Sequence, residues 1–231
     1  MISFVVPAHN EARFIEACIR SIHETCTALA LEHEVIVAND ASTDATADLA
    51  RAGGARVLDV SLRHIAAVRN AGARLARGER LVFVDADSHV DVALVRAAMD
   101  ALDRGYVGGG AGVRFEEPVP WWALAVLKAV VAVMRLGRWA AGSFVFCTRK
   151  AFEAVGGFDE SVYAGEEIYT SQRLKTQGRF IVLRETIATS ARKVHGRTFG
   201  EMMKINAKLF WKGPRGLRDR ANLDFWYRDR R

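Results

Sequence analysis

Short apolar runs alternate with helical patterns in the first half of the chain. Runs that are apolar almost throughout are typical of strands buried on both faces of a parallel sheet. Four runs predict strands: 2–6, 34–38, 55–60 and 81–84. Helical spacing of apolar residues predicts helices at 14–22, 45–51 and 69–76. The alternation predicts an α/β fold with a mostly parallel, doubly wound central sheet flanked by helices. Asn10 is expected to cap the first helix, with Glu11 in its first turn.

The second half has a less regular pattern. Helices are predicted over 92–102, 119–136, 166–175 and 199–211, and strands over 106–115, 143–147 and 180–183. No internal repeat or low-complexity linker divides the chain. We therefore expect one unit over 1–198, followed by a C-terminal helix and a basic tail over 199–231.

Composition and charge narrow the classes of function. Of the 231 residues, 50% are hydrophobic and 26% are charged, which predicts a packed core rather than a disordered chain. The net charge of +6 favours phosphates or anionic lipid as partners. No nucleic-acid recognition motif with a known spacing is present, so nucleic acid is not expected as a partner.

The cysteines indicate a reducing environment. Cys18, Cys26 and Cys147 have no metal-binding spacing. Cys18 and Cys26 would lie about 12 Å apart along one helix, which is too far for a disulfide. We expect reduced, packed thiols. Since no signal-peptide pattern opens the sequence, we also expect a cytoplasmic location.

Candidate chemistry collects where the predicted strands end. In open α/β sheets, ligands bind beyond the carboxyl ends of the strands, and polar clusters follow three of them, at 7–11, 39–40 and 85–87. Asp85 and Asp87 are two residues apart on an extended segment, so they face one side, where two carboxylates repel unless a cation lies beside them. Oxygen ligands completed by substrate phosphates and water favour Mg²⁺ or Mn²⁺. The alternative is a pair of solvated turn aspartates.

Further acidic residues are also candidates for the site. A carboxylate at Asp40 can accept an N–H from the edge of uracil or guanine. Glu166 and Glu167 open a predicted helix after Gly165, and one of them can act as general base on an acceptor hydroxyl. The alternatives are a turn residue at Asp40 and an acidic first turn that only complements the helix dipole.

Taken together in this order, these segments resemble the family 2 inverting glycosyltransferases of the GT-A fold. The resemblance rests on Val-Val-Pro-Ala-His-Asn-Glu at 5–11, Asn-Asp-Ala-Ser-Thr-Asp at 39–44, Arg-Asn-Ala-Gly-Ala at 69–73, Val-Asp-Ala-Asp at 84–87, Gly-Gly-Phe-Asp-Glu at 156–160 and Gly-Glu-Glu at 165–167. It implies a donor-binding half over about 1–115 and an acceptor half over about 116–198. It also implies metal-dependent transfer of a hexose from a UDP- or GDP-type nucleotide sugar to a hydroxyl, with Mg²⁺ or Mn²⁺ as cofactor.

The resemblance implies roles for single residues. Asp85 and Asp87 resemble the family's Asp-x-Asp motif, with Asp87 the more direct metal ligand. Glu167, beside Glu166, stands where the family usually has an aspartate base. The residues expected to contact the donor are Pro7, Ala8, Asn10, Glu11, Asp40, Arg69, Asp85, Ala86 and Asp87.

The sequence departs from the family pattern at two places. Asn39 replaces the first aspartate of the usual Asp-Asp pair, whereas Asp40 keeps the second. Glu167 is one methylene longer than the usual aspartate, which moves the expected acceptor oxygen outward. His195 is a candidate for the metal shell, and the alternative is a surface histidine.

Other functions remain as alternatives at this point. A nucleotidyltransferase also uses a metal and a diphosphate, but it needs no base at the Gly-Glu-Glu segment. A non-catalytic nucleotide-sugar-binding or scaffold protein would not need Asp85, Asp87 and Glu167 together. A dehydrogenase is not expected, because no G-x-G-x-x-G follows the first strand.

The predicted helix over 119–136 has an unusual composition. It is apolar nearly all round, with Trp121 and Trp122 at one end and Trp139 beyond the other, so it must be buried in protein or in lipid. Interfacial helices carry tryptophan and basic residues in this way. One interpretation is peripheral contact with the inner face of a membrane, where the acceptor would be lipid-linked. The alternative is a helix packed on the sheet or at a homodimer interface.

Overall fold

The computed structural model describes residues 1–140, 142–163 and 165–192. Its strands are β1 (Ile2–Ala8), β2 (His33–Asp40), β3 (Arg56–Val60), β4 (Arg80–Val84), β5 (Ser88–His89), β6 (Gly108–Phe115), β7 (Phe144–Thr148) and β8 (Phe180–Thr189). Its helices are α1 (Ile15–Ala28), α2 (Thr46–Ala52), α3 (Ile65–Leu75), α4 (Val92–Asp103), α5 (Trp121–Gly137), α6 (Arg149–Ala154) and α7 (Glu166–Leu174). The predicted helix over 199–211, the basic tail and His195 lie outside the described residues.

The strands form a sheet in the order β3-β2-β1-β4-β7-β6-β8-β5. β1 to β4 pair with one another in parallel. β7 is antiparallel to both β4 and β6, β6 is parallel to β8, and β5 is antiparallel to β8. The prediction of an α/β fold with a mostly parallel sheet flanked by helices is confirmed. The antiparallel strands go beyond it, because an apolar run carries no information on strand direction.

Helices cover both faces of the sheet, which explains the apolar runs. In β1, Phe4 and Val6 belong to a core shared with α1 and α4. Val5, between them, belongs to a second core shared with α3 and α6. Gly72 of α3 lets this layer approach closely, because a Cβ there would lie 2.5 Å from the Val5 side chain. Residues on both sides of each central strand must therefore be apolar.

The prediction that Asn10 caps the first helix is wrong. α1 begins at Ile15 after Phe14, and no side chain caps it. Asn10 has a φ of 54°, and its Oδ1 accepts a hydrogen bond of 2.8 Å from the Thr43 amide. The Glu11 side chain binds an arginine instead of complementing the helix dipole. The segment after β1 is therefore tied to the segment after β2, at the edge where the predicted site lies.

α5 is largely exposed within the described residues. Ala123 is the buried residue of this helix, while Trp121 and Leu136 are mostly exposed. The helix packs beside β6. Among the described residues, no helix combines the length and apolar character needed to cross a membrane.

The three cysteines are free and buried, as predicted. Cys18 and Cys26 lie in α1, in the core that α1 shares with α4. Cys147 lies in β7, in the core on the opposite face of the sheet. Burial raises the pKa of each of these thiols, so the thiols stay protonated and inert in the folded protein.

Candidate active site

Hydrogen bonds join the polar clusters that follow β1 and β2. His9 Nδ1 donates to the Asp40 carbonyl oxygen over 2.5 Å. The Asn10 amide donates to Ser42 Oγ over 2.9 Å, and the Glu11 amide donates to Thr46 Oγ1 over 2.8 Å. The two loops therefore form one wall of a cleft at the carboxyl edge of the sheet. Pro7 and Ala8 lie buried below this wall, in register with Ala38 and Asn39 of β2.

Asp40 is buried and has one carboxylate oxygen engaged by the backbone. Its Oδ1 accepts hydrogen bonds from the amides of Leu62 and Arg63, at 2.7 and 3.0 Å. Within the described residues, its second oxygen forms no hydrogen bond. Beside this segment, the His64 ring lies 4.5 Å from the Tyr163 ring. The arrangement offers a fixed acceptor oxygen and flat surfaces, which suits a nucleobase.

The Asn39 side chain hydrogen-bonds to the neighbouring strand β3. Its Nδ2 donates to Asp59 Oδ1 over 2.7 Å, and its buried Oδ1 has no partner among the described residues. An aspartate at this position would face Asp59 at the same distance, so asparagine removes a charge repulsion. The departure from the family pattern at residue 39 therefore leaves Asp40 undisturbed.

Asp85 and Asp87 follow β4, on either side of buried Ala86. Asp85 Oδ1 lies 2.7 Å from Arg69 Nη2, and Asp87 Oδ2 lies 2.8 Å from Arg192 Nη2. Each carboxylate thus pairs with an arginine through one oxygen. The second oxygen of Asp85 has no hydrogen bond within the described residues, and that of Asp87 accepts a long one of 3.5 Å from Thr189 Oγ1.

The carboxylate oxygens of Asp85 and Asp87 suit a divalent cation such as Mg²⁺ or Mn²⁺. Such an ion takes one or two carboxylates and completes its shell with water and phosphate oxygens. Asp85 and Asp87 each keep one oxygen for it. Among the described residues, no group of three or more His, Cys, Asp or Glu side chains forms a ready-made metal site. The substrate's phosphates would therefore have to supply the remaining ligands.

Arg192 contacts Glu11 and Asp87, and the sequence analysis did not identify it as a site residue. It donates to both oxygens of Glu11, at 2.8 and 2.6 Å, and its guanidinium lies 4.9 Å from the centre of the Phe14 ring. It thereby holds Glu11 and Asp87, two residues predicted for the site, close to each other. A positive residue just beyond a buried strand was a weak signal for this role.

Arg69 connects Asp85, one of the two candidate metal ligands, to the start of α7. The side chain is buried, and its Nη1 lies 2.5 Å from Glu166 Oε1 while its Nη2 contacts Asp85. The Arg69 Nη2 group also donates to the Gly142 carbonyl over 3.0 Å. The carboxylates beside it hold the pKa of Arg69 high, despite its burial. Arg69 therefore forms the floor between the two acidic clusters.

Glu166 and Glu167 have different environments. Glu166 is buried and paired with Arg69, whereas Glu167 is half-buried and forms no ion pair with any residue that the structure describes. Desolvation, with repulsion from Glu166, raises the pKa of Glu167 to about 8. A Cβ on Gly142 would lie 3.2 Å from Glu167 Oε1, so that glycine leaves room beside the carboxylate. Gly165 starts the helix with a φ of 70°, a conformation that favours glycine.

Asn70 fixes the Gly-Gly-Phe-Asp-Glu segment against α3. Its Oδ1 accepts from the Phe158 amide over 2.9 Å. Its Nδ2 donates to the Phe158 carbonyl and to Glu160 Oε1, at 3.0 and 2.8 Å. A Cβ at Gly157 would lie 2.6 Å from Asn70 Oδ1. The segment that leads towards α7 is therefore anchored to the helix that carries Arg69.

The order of these segments is that of a known family. Residues 3–155 match the model of glycosyl transferase family 2. The chain belongs to this family. The match includes the loops after β1, β2 and β4, and therefore Asp40, Asp85 and Asp87.

Two curated relatives of this family 2 chain cover only part of it. It is 32% identical over 110 residues to the uncharacterized glycosyltransferase EpsJ of Bacillus subtilis, which is 45% of this chain and 31% of that protein. It is 35% identical over 92 residues to validoxylamine A glucosyltransferase of Streptomyces hygroscopicus, or 37% of this chain and 21% of that one. The matched part is thus less than a third of the length of either relative.

Solved structures similar to this family 2 chain support the same fold. The mannosyltransferase PcManGT of Pyrobaculum calidifontis, in complex with GDP-Man and Mn²⁺, has a TM-score of 0.70 at 21% identity, over 90% of this chain and 60% of that one. Glucosyl-3-phosphoglycerate synthase of Mycobacterium tuberculosis, in complex with Mn²⁺, UDP and glucosyl-3-phosphoglycerate, has a TM-score of 0.58 at 20% identity, over 91% of this chain and 77% of that one.

We expect Arg192→Gln to bind Mn²⁺ more tightly than the wild type when no nucleotide is present. Arg192 occupies one oxygen of Asp87, so a cation must compete with it. Loss of a partly exposed ion pair of this kind should raise the affinity for Mn²⁺ by about two- to fivefold. Titration of Mn²⁺ followed by electron paramagnetic resonance measures the free ion. Equal or weaker binding by the variant would show that Arg192 does not compete for the site.

Proposed function

We propose that this chain is an inverting glycosyltransferase that transfers a hexose from a nucleotide-diphosphate sugar to an acceptor hydroxyl. One observation carries the proposal. Buried Arg69 pairs with Asp85 after β4 and with Glu166 at the start of α7. The acidic residues suited to a metal–diphosphate and those suited to proton transfer therefore border a single cleft. Direct displacement needs this pair of functions and no protein nucleophile.

We propose UDP or GDP as the nucleotide of the donor. Asp40 presents a carboxylate oxygen whose partner oxygen is held by two backbone amides. Uracil and guanine both offer a ring N–H to such an acceptor. Similar solved structures contain GDP-Man or UDP, which agrees with this assignment. The donor-binding half would extend over about residues 1–115 and the acceptor half over about 116–198.

Asp87 and Asp85 would hold Mg²⁺ or Mn²⁺ together with the donor diphosphate. When bound, the cation neutralises charge on the departing diphosphate. Arg192, now paired with Glu11 and with one oxygen of Asp87, would compete with the cation for Asp87. Arg69 keeps Asp85 oriented from below.

Glu167 would accept the proton of the acceptor hydroxyl. Its raised pKa lies near neutral pH, where a general base is most effective. The Glu166 carboxylate, which pairs with Arg69, repels the charge of Glu167 and so raises the pKa of its neighbour. Gly142 leaves space for an acceptor oxygen beside Glu167. The extra methylene of Glu167, compared with aspartate, would extend its reach into that space.

A thermal-shift screen tests the proposal. UDP or GDP with Mn²⁺ is expected to raise the melting temperature, whereas either component alone has little effect, because the diphosphate completes the metal shell. Incubation with the sugar nucleotide and Mn²⁺ should then release free sugar slowly. Stabilisation without any turnover would favour a non-catalytic sugar-nucleotide-binding protein. Release of pyrophosphate from a nucleoside triphosphate would favour a nucleotidyltransferase.

A further inference from the structure

α5 presents an exposed apolar stripe. Trp121 and Leu136, at its two ends, are 81% and 86% exposed. Ala125, Ala129 and Ala132 lie between them at spacings of three and four residues and are also exposed. Residues at these spacings share one face of a helix. The stripe therefore runs the length of α5 without cover from any described residue.

Basic groups border this stripe. Between Pro118 and Phe152 the sequence contains no Asp or Glu. Lys128 and Arg138 are exposed on and just after the helix. Lys175 Nζ donates to the Gly137 carbonyl over 2.6 Å, at the end of α5. The helix thus carries an apolar face with a positive rim.

Arg135 extends this rim to β8. Its Nη2 donates to the carbonyl oxygens of Leu183 and Arg184, at 3.4 and 3.0 Å. The Arg184 side chain is exposed. We define the basic rim as Lys128, Arg135, Arg138, Lys175 and Arg184.

We propose that α5 and the basic rim dock onto the surface of an anionic lipid membrane. Exposed apolar side chains enter the boundary between headgroups and acyl chains, where tryptophan is favoured. Basic side chains at the same level attract anionic headgroups. The apolar stripe and the positive rim match both parts of such a surface.

A second copy of the chain fits this face less well. In a two-fold dimer, the same patch meets itself. The basic rim would then face another basic rim, with no acidic residue between Pro118 and Phe152 to compensate. An anionic lipid surface has the opposite charge and imposes no such repulsion.

Docking would also place the cleft near the membrane, a point that rests on the proposed function. After α5, the Ala140 amide donates to Ser171 Oγ of α7 over 3.0 Å. Two residues later, Gly142 contacts Arg69 and lies beside Glu167. The chain thus passes directly from the docked helix to the acceptor side of the cleft. A hydroxyl acceptor carried on a lipid would reach Glu167 from the membrane surface.

Vesicle sedimentation tests the docking without any assay of transfer. The full chain is expected to sediment with phosphatidylglycerol-containing vesicles at low salt, and less at high salt or with phosphatidylcholine alone. Trp121→Ser combined with Leu136→Ser should weaken binding about tenfold, since two large apolar side chains are lost. Val92→Ser, which alters an exposed apolar residue of α4, is the matched control and should bind like the wild type.

A charge variant keeps the test decisive if the serine variant does not fold. Lys128→Glu with Arg138→Glu changes exposed residues and should also abolish the preference for anionic vesicles. The proposal is overturned if the wild type ignores anionic vesicles at low salt. It is equally overturned if the α5 variants bind as the wild type does, or if they only convert a dimer to a monomer. Sedimentation without transfer activity would leave the docking intact and contradict only the proposed function.

Discussion

Asp87→Ala is expected to abolish sugar transfer while the fold remains intact. Asp87 supplies a carboxylate oxygen just beyond the end of β4. No other acidic side chain among the described residues could replace that oxygen when Asp87 is changed to alanine. Its main-chain carbonyl still accepts from the Ser190 amide, so the local backbone keeps its bond to the segment after β8. Calorimetry with UDP or GDP and Mn²⁺ should show that metal-dependent nucleotide binding is lost.

A surface aspartate provides the control for this variant. Asp103 pairs with Arg80, which begins β4, whereas Asp85 and Asp87 follow the opposite end of that strand; Asp103→Ala should therefore bind nucleotide and metal as the wild type does. The melting temperature of Asp87→Ala should stay close to that of the wild type. Unchanged metal-dependent binding in Asp87→Ala would remove Asp87 from the metal site.

Glu167→Gln is expected to lower the transfer rate by about 100-fold or more, the usual scale of general base catalysis. The amide has nearly the same shape but cannot take the acceptor proton. Donor affinity should change little, because the residues assigned to the nucleotide lie in other loops. Rates at saturating donor, together with the donor dissociation constant, separate the two effects.

The pH profile adds a second signature of Glu167. Burial and repulsion from Glu166 raise its pKa to about 8, so the carboxylate is mostly protonated at low pH. A base must be unprotonated, and the wild-type rate should therefore rise with pH and level off above about 8. Glu167→Gln should lack this rise. An unchanged profile in the variant would exclude Glu167 as the titrating group.

Glu166→Gln distinguishes the two neighbours. Glu166 pairs with buried Arg69, so its loss should lower the free energy of unfolding more than that of Glu167→Gln does. The Glu166→Gln variant should keep measurable transfer. If Glu166→Gln is inactive and Glu167→Gln is active, the two roles are exchanged.

The sequence predicted the donor-side strands well because those strands are apolar on both faces. Phe4 and Val5 point to opposite cores, so each residue of β1 had to be apolar. The same reasoning misses short elements: β5 has two residues and α6 has six, too few for a period to appear. It also misses the antiparallel direction of β7, which depends on how the chain returns to the sheet.

Side-chain partners far apart in sequence were the least predictable part of the site. Asp85, Asp87 and Glu167 were predicted as site residues from their position at strand or helix ends, and the structure places them beyond the end of β4 and at the start of α7. The pairing of Arg69 with Glu166 spans 97 residues, and that of Arg192 with Glu11 spans 181. No local pattern encodes such contacts. The capping role expected for Asn10 failed for the same reason, because Thr43 on another loop takes its side-chain oxygen.

The buried cysteines allow local opening of the fold to be measured by chemical labelling. Cys26 lies in α1, buried in the core on one side of the sheet, and Cys147 lies in β7 facing the core on the other side. A thiol reagent can modify them only when the layer above moves away. Labelling rates at Cys26 and Cys147 therefore measure, separately, how often each helical layer detaches from the sheet, and they need neither an engineered probe nor a bound substrate.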